Sequence, residues 1–258
     1  MKLATWNVNS LTIRLPQVLD WLNVNPVDVL VLQETKMTDD KFPTLAIGEA
    51  GYHVQWFGQK TYNGVALISR EPALDVVKNI VGYADEQARV IAATVVVNGA
   101  GVRVIGAYFP NGQALDSDKF VYKLAWLDGM RAWLANELKT HEKLVLMGDF
   151  NIAPEDRDVH DPAAWVGMTH VSPQERAHFQ ALLDLGLVDA YRLFEQAPKS
   201  FSWWDYRNLG FQKNQGLRID HILVSKVLQS SVEACVIDRQ MRKNERPSDH
   251  APVIVTLR

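Results

Sequence analysis

Ten short runs of alternating or β-branched apolar residues, interleaved with three stretches of helical spacing, constrain this chain more than any other feature. Strands are expected at residues 2–8, 27–33, 52–57, 65–69, 90–97, 102–108, 144–147, 219–224, 232–237 and 252–257. Helices are expected at 15–22, 119–138 and 174–185. A short Gly-containing link joins 90–97 to 102–108 and predicts a hairpin, whereas other strands are separated by helices. The pattern implies an α/β sandwich of mixed sheets. Two long irregular stretches, 151–173 and 198–218, stand out, and long ordered loops in compact proteins usually carry function.

The chain has 258 residues, 47% hydrophobic and 22% charged, enough apolar surface for one large core, so a single domain over 1–258 is expected. No apolar run approaches the roughly 20 residues of a membrane-spanning helix, and the first ten residues lack a basic stretch followed by an apolar one. A soluble cytoplasmic protein is expected, with no membrane partner. The single cysteine, Cys235, lies in an apolar alternating run and reads as a buried structural thiol. The net charge of −3 is unhelpful for gripping nucleic acid, because phosphate contacts normally draw on released counterions. A carboxylate-rich site holding a divalent cation reverses that sign locally, so the global charge decides little.

The informative pattern is where polar residues meet strand ends. Asn7 ends the first strand, Gln33 and Glu34 the second and Tyr108 a later one; Asp149 and Asn151 follow residues 143–147, while Asp220 and His250 each open an apolar strand. Such residues can converge on one rim of a sandwich. Hydrolysis of a phosphodiester needs a cation for the nonbridging oxygens, a base for water and donors for the developing charge. Mg²⁺ prefers oxygen ligands, which Glu34 and Asn7 offer. In Gly148-Asp149-Phe150-Asn151, the Asp can orient water and the Asn can bond a phosphate or hold that base. His250 can donate to the phosphate while Asp220 fixes its ring.

Six motifs occur in order: Thr5-Trp6-Asn7-Val8-Asn9, Leu32-Gln33-Glu34-Thr35-Lys36, Tyr108-Phe109-Pro110-Asn111-Gly112, Gly148-Asp149-Phe150-Asn151-Ile152-Ala153-Pro154, Gly216-Leu217-Arg218-Ile219-Asp220-His221 and Pro247-Ser248-Asp249-His250. Together they resemble the exonuclease III family of abasic-site endonucleases, within the endonuclease/exonuclease/phosphatase superfamily, from Met1 to the last strand. The resemblance implies a four-layer αββα sandwich with two packed mixed β-sheets. It implies a Mg²⁺- or Mn²⁺-dependent DNA-repair hydrolase with four activities: abasic-site endonuclease, 3′ phosphodiesterase, 3′ phosphatase and 3′ to 5′ exonuclease. The expected partner is duplex DNA carrying abasic sites, nicks or blocked 3′ ends, and with nothing in the sequence pointing to an obligate oligomer a monomer is the default expectation.

By matching position the resemblance puts Asn7 and Glu34 on the metal with Asp249 in support, Asp149 on the attacking water, Tyr108 and Asn151 on the phosphate, and His250 paired with Asp220. Trp203, in Phe201-Ser202-Trp203-Trp204-Asp205-Tyr206-Arg207, resembles the wall of the family's pocket for a baseless sugar. Asn111, Lys119 and Arg218 are further expected DNA contacts. His170, in the loop before a helix capped by Ser172, Pro173 and Glu175, is expected to crowd the strand opposite a lesion and favour 3′ end processing.

Each residue also has a plainer reading. Glu34 or Asn7 alone is a solvated strand-end residue, Asp149 is turn chemistry, Tyr108 is a half-buried aromatic, and His170 is a surface histidine. Trp204 reads as core, and alternation turns His221 away from Asp220 into a structural place. Two rival functions are a DNA-binding module without catalysis, which would lack some of Glu34, Asp149, Asp220 and His250, and a phosphatase of small metabolites or lipids, which would ignore duplex DNA.

Overall fold

In the computed structural model, which describes residues 1–258, the first strand is buried on both faces, with Leu3 and Thr5 on one side and Ala4 and Trp6 on the other. A strand of that kind needs a layer on each side. The elements are β1 (Lys2–Asn7), α1 (Leu11–Val24), β2 (Val29–Gln33), α2 (Thr44–Glu49), β3 (His53–Phe57), β4 (Val65–Ser69), β5 (Leu74–Lys78), β6 (Val90–Val97) and β7 (Ala100–Tyr108). There follow α3 (Asp118–Thr140), β8 (Leu144–Asp149), α4 (Pro173–Asp184), β9 (Leu187–Asp189), β10 (Trp203–Trp204), β11 (Gly216–Leu217), β12 (Asp220–Ser225), β13 (Val232–Ile237) and β14 (Val253–Leu257).

One six-stranded sheet has the order β13-β14-β1-β2-β4-β3 and the other β5-β6-β7-β8-β12-β9. Leu3, Val29 and Val31 of the first meet Val104, Val145 and Met147 of the second in the core between them. The outward rows Ala4, Trp6, Leu30 and Leu32 lie under Val18, Trp21 and Leu22 of α1. On the other side Ile105, Leu144 and Leu146 lie under Trp126 and Met130 of α3 and Phe179 of α4. The result is the expected helix, sheet, sheet, helix stack. No helix is long and apolar enough to cross a membrane.

Each sheet contains one parallel pair, β1 with β2 and β7 with β8, and every other pairing is antiparallel. A parallel pair needs a crossover, and α1 and α3 supply the two. In register, Asn7 pairs with Gln33, and Tyr108 with Asp149, so the carboxyl ends of both parallel pairs carry polar residues. Open α/β sheets place their sites at such ends. Asp220 at the start of β12 lies opposite Asp149 and joins the same rim.

Strand positions follow the expected ones to within a few residues, and the hairpin between β6 and β7 turns through Asn98 and Gly99, both at positive φ (52° and 78°), as a two-residue turn demands. Helix α1 begins at Leu11, four residues ahead of the expectation. Pro16 sits within its second turn, where it leaves one carbonyl without its donor. Five unanticipated elements, β5, β9, β10, β11 and α2, are short or marginal, β10 and β11 having two residues each. Strand β5 is a bulged edge strand, β9 has three residues, and α2 buries only Ile47.

At Gly106 the two sheets approach too closely for a side chain, because a Cβ there would collide with the Val31 side chain. Gly106→Ala is expected to lose about 1–3 kcal/mol of stability through overpacking. Urea unfolding checks this, and Val31→Ala in the same chain should recover part of the loss.

Candidate active site

The rim where the inner rows end is built on strained backbone. Glu34, directly after β2, has φ of 52°, and Asn151, two residues after β8, has φ of 50°. Left-handed conformations in such residues persist only when surrounding bonds enforce them. For Asn151 those bonds come from its backbone N–H to Asp149 Oδ1 (2.9 Å) and its amide to the Phe109 carbonyl (2.9 Å). Gly148 is required by packing, since a Cβ there would collide with the Ala107 carbonyl.

Asn7 Nδ2 donates to Glu34 Oε1 at 2.8 Å and to Asp149 Oδ2 at 2.9 Å, binding the two sheets' carboxylates together. Its Oδ1 is occupied by the Asn9 backbone N–H at 3.0 Å. Asp220 Oδ2 lies 2.8 Å from His250 Nδ1 and also accepts from Ser202 Oγ at 2.7 Å. With Nδ1 protonated toward Asp220, Nε2 is turned to Asp149, 3.7 Å from Oδ2.

These positions set the electrostatics. Burial first, then the Asp220 and Glu34 carboxylates, push Asp149 up to about 7, although His250 and the Asn7 amide work against the rise. Burial disfavours charge on His250, but Asp220 and Asp149 outweigh it and raise the imidazole to about 10. Burial and the Glu34 and Asp149 carboxylates push Tyr108 well above the ordinary phenol value, keeping its hydroxyl a neutral donor. One donor atom each from Glu34, Asp149 and His250 lie within 4.8 Å of one another. Two carboxylates facing a common space are the donor set that a hard divalent cation takes.

Seven expected residues, Asn7, Glu34, Tyr108, Asp149, Asn151, Asp220 and His250, are thus brought to one rim. Asn7 turns its amide nitrogen to both carboxylates and holds them together. Asp249 accepts from Asn9 Nδ2 at 3.1 Å and Trp203 Nε1 at 3.0 Å, which ties it into the surrounding network. Trp203 is half-buried and meets Trp165 edge-on at 6.5 Å. Asn111 and Lys119 are exposed and line a cavity of about 660 Å³ beside Tyr108.

Two expected DNA contacts are corrected by burial. Arg218 is 1% exposed, with its guanidinium 2.7 Å from Asp158 and 2.9 Å from Asp189, so it has no face to offer a phosphate. His170 is buried, not a protrusion toward DNA: its Nδ1 lies 2.7 Å from the Asn151 carbonyl and its ring is 6.0 Å from that of Trp165. Burial, with Lys123 adding to it, lowers its pKa to about 4, so it bonds as a neutral ring. His221 is structural as expected, packed against Phe150 and Phe179 and bonded to the Ile152 carbonyl at 2.8 Å.

Sequence reasoning missed the fully buried pair Lys123 and Glu175, 2.5 Å apart. Lys123 Nζ donates to the Asn151 carbonyl at 2.7 Å and the Asn111 carbonyl at 3.2 Å. Its signal was a lysine on the buried stripe of α3, between Phe120 and Leu127. Glu175 also completes the capping box expected with Ser172. Lys123→Met leaves the Glu175 carboxylate buried without its countercharge, and is expected to lose about 3–5 kcal/mol. The pair Lys123→Met/Glu175→Gln should recover most of that in urea melts.

The profile of the Endonuclease/Exonuclease/phosphatase family matches residues 4–250. The chain is 37% identical to exodeoxyribonuclease III of Haemophilus influenzae, with 98% of each chain covered. It superposes on the 3′ phosphatase NExo from Neisseria, solved with a product DNA hairpin, with a TM-score of 0.97 at 50% identity, over 100% of this chain and 99% of that one. An AP endonuclease from Archaeoglobus fulgidus gives 0.94 at 35% identity, over 100% and 99%. With its two six-stranded sheets and their shared polar rim, this chain belongs to the endonuclease/exonuclease/phosphatase family, as a hydrolase of the exonuclease III type.

Proposed function

We propose that residues 1–258 form one catalytic domain that hydrolyses phosphate esters of duplex DNA at abasic sites, nicks and blocked 3′ ends, using Mg²⁺ or Mn²⁺. The observation that carries this reading is the opposed pair Asp149 and His250, with the imidazole Nε2 3.7 Å from the carboxylate and Nδ1 held 2.8 Å from Asp220, a proton acceptor and a proton donor facing one space. Glu34, with Asp149 beside it, would hold the cation, and Asn7 and Asp249 would steady these groups through their hydrogen bonds. Bound there, the cation neutralises nonbridging phosphate oxygens.

Asp149 orients water and takes its proton, the water oxygen joins phosphorus, the bond from phosphorus to the 3′ oxygen breaks, and that oxygen leaves as a hydroxyl on taking a proton from solvent. The His250 imidazolium, held by Asp220, donates to a phosphate oxygen, and the neutral Tyr108 hydroxyl and the Asn151 amide add donors on the same rim. Trp203 stands as a pocket wall beside Asp249, and Asn111 and Lys119 contact the strand along their cavity. A monomer acting on DNA in the cytoplasm completes the reading. A leaning toward 3′ end processing draws support from the 50% identity to a 3′ phosphatase, not from His170 crowding a strand.

Three labelled duplexes, with an internal abasic analogue, a recessed 3′ hydroxyl and a nick bearing a 3′ phosphate, test the reading with Mg²⁺ or chelator. Metal-dependent turnover is expected on all three, fastest at the 3′ phosphate, and Asp149→Asn should lower kcat by on the order of 10²–10⁴. Turnover of a small phosphate ester with none of the duplexes would reject it.

The pH profile carries a further expectation. His250 is raised, so its imidazolium persists at neutral pH and is lost as pH rises through about 10. Activity should therefore decline on that alkaline limb. Asp220→Asn removes the carboxylate that holds the proton and should bring the decline toward neutral pH. A limb that does not move would mean that His250 is not the donor.

A further inference from the structure

Away from the carboxylate rim, a cavity of about 860 Å³ opens between residues 205–212 and 239–247. Arg239, Arg242 and Lys243 line it, and none of the three has a carboxylate within ion-pair distance. The lining carboxylate, Asp205, is held by Arg207 through bonds of 2.6 and 3.0 Å. A chain with 30 acidic and 27 basic residues has carboxylates to spare, so three unpaired cations around one cavity are not a matter of composition.

Arg242 is the most informative of them. It is 7% exposed, and its guanidinium lies over Phe211 at 5.1 Å and Tyr206 at 5.4 Å. Nη1 donates to the Ser248 carbonyl at 2.5 Å, while the buried Nε has no partner. Aromatic faces stabilise a cation from above and below, but they leave the in-plane N–H groups unfilled. A buried guanidinium normally takes a carboxylate or phosphate in its fork.

The cavity and the rim share a wall. Ser248, whose carbonyl holds Arg242, donates its hydroxyl to the Asn7 carbonyl at 2.6 Å and lies two residues from His250. Tyr206 donates to the Pro247 carbonyl at 2.7 Å and packs beneath the same segment.

We propose that Arg239, Arg242 and Lys243 form a second phosphate site, which seats a backbone phosphate of the bound DNA away from the bond being cleaved. The proposal rests on the DNA-hydrolase reading and adds to it a place where the duplex is gripped. A phosphodiester in the cavity lies against the Arg242 guanidinium, whose charge the neutral rings of Phe211 and Tyr206 leave uncompensated, and Arg239 and Lys243, both exposed, close over it from the mouth.

The test is Arg239→Gln/Lys243→Gln, which changes exposed residues outside the catalytic rim. Binding of a nicked duplex is measured by anisotropy in chelator across a salt series, alongside single-turnover cleavage with Mg²⁺. Affinity near ~0.1 M salt should fall on the order of tenfold, and the slope of log K against log salt should drop by about one, as for one lost phosphate contact. The cleavage rate at saturating DNA should be unchanged. Equal slope and affinity in parent and variant, with the parent still cleaving, overturns the site and leaves the function standing. A parent that neither binds nor cleaves duplex overturns both. Inorganic phosphate that raises the parent's Tm but not the variant's, with DNA affinity equal in the two, assigns the cavity to a free anion and overturns the backbone assignment.

Discussion

Two sheets packed face to face leave their inner surfaces no solvent, so polar side chains on the inner rows can stand only where those rows run out. The row Leu3, Thr5, Asn7 and the row Val145, Met147, Asp149 both obey this, turning from apolar core to carboxylate chemistry within a few residues. Just below the rim, Gln33 Nε2 donates to Thr5 Oγ1 at 2.8 Å, a transition layer between dry core and charged site. Because one parallel pair in each sheet ends at this level, the site draws on both sheets at once and depends on their relative placement.

The turn after β8 is fixed from two sides by charges that never reach the surface. Lys123 and His170 hold the Asn151 carbonyl, and His221, braced by Arg218, holds that of Ile152. Arg218 in turn is paired with Asp158 and Asp189. Each cluster pairs opposite charges, Lys123 with Glu175 and Arg218 with Asp158 and Asp189, so the turn is stiffened from groups that are themselves held. Stiffness matters there because Asn151 sits in a conformation that asparagine tolerates but does not prefer.

Much of this was legible in the residues. Alternating runs placed ten of the fourteen strands, because strands buried on two faces are written in apolar residues whichever way they point. Elements that the sequence hid, such as β9 with three residues and β5 on an edge, take their order from neighbours rather than from their own pattern. The rim residues were legible as an ensemble of strand-end polar groups. The partners of buried charges were not. Arg218 and His170 look like surface residues in one dimension, and only pairing to Asp158, Asp189 and the Asn151 carbonyl makes their burial affordable. Lys123 is the same lesson on a helix, where a lysine on the apolar stripe found Glu175 some fifty residues on.

The placement of β1 between β2 and β14 means that the two ends of the chain lie in one sheet, with the Met1 amino group 2.7 Å from the Leu257 carbonyl. Asn7 and His250, 243 residues apart in sequence, cannot share a rim until β14 has docked (250 minus 7). A chain still emerging from the ribosome therefore holds its carboxylates without the imidazole that faces them. The means of breaking a DNA backbone is withheld until residues 247–257 have been made and β14 has packed against β1.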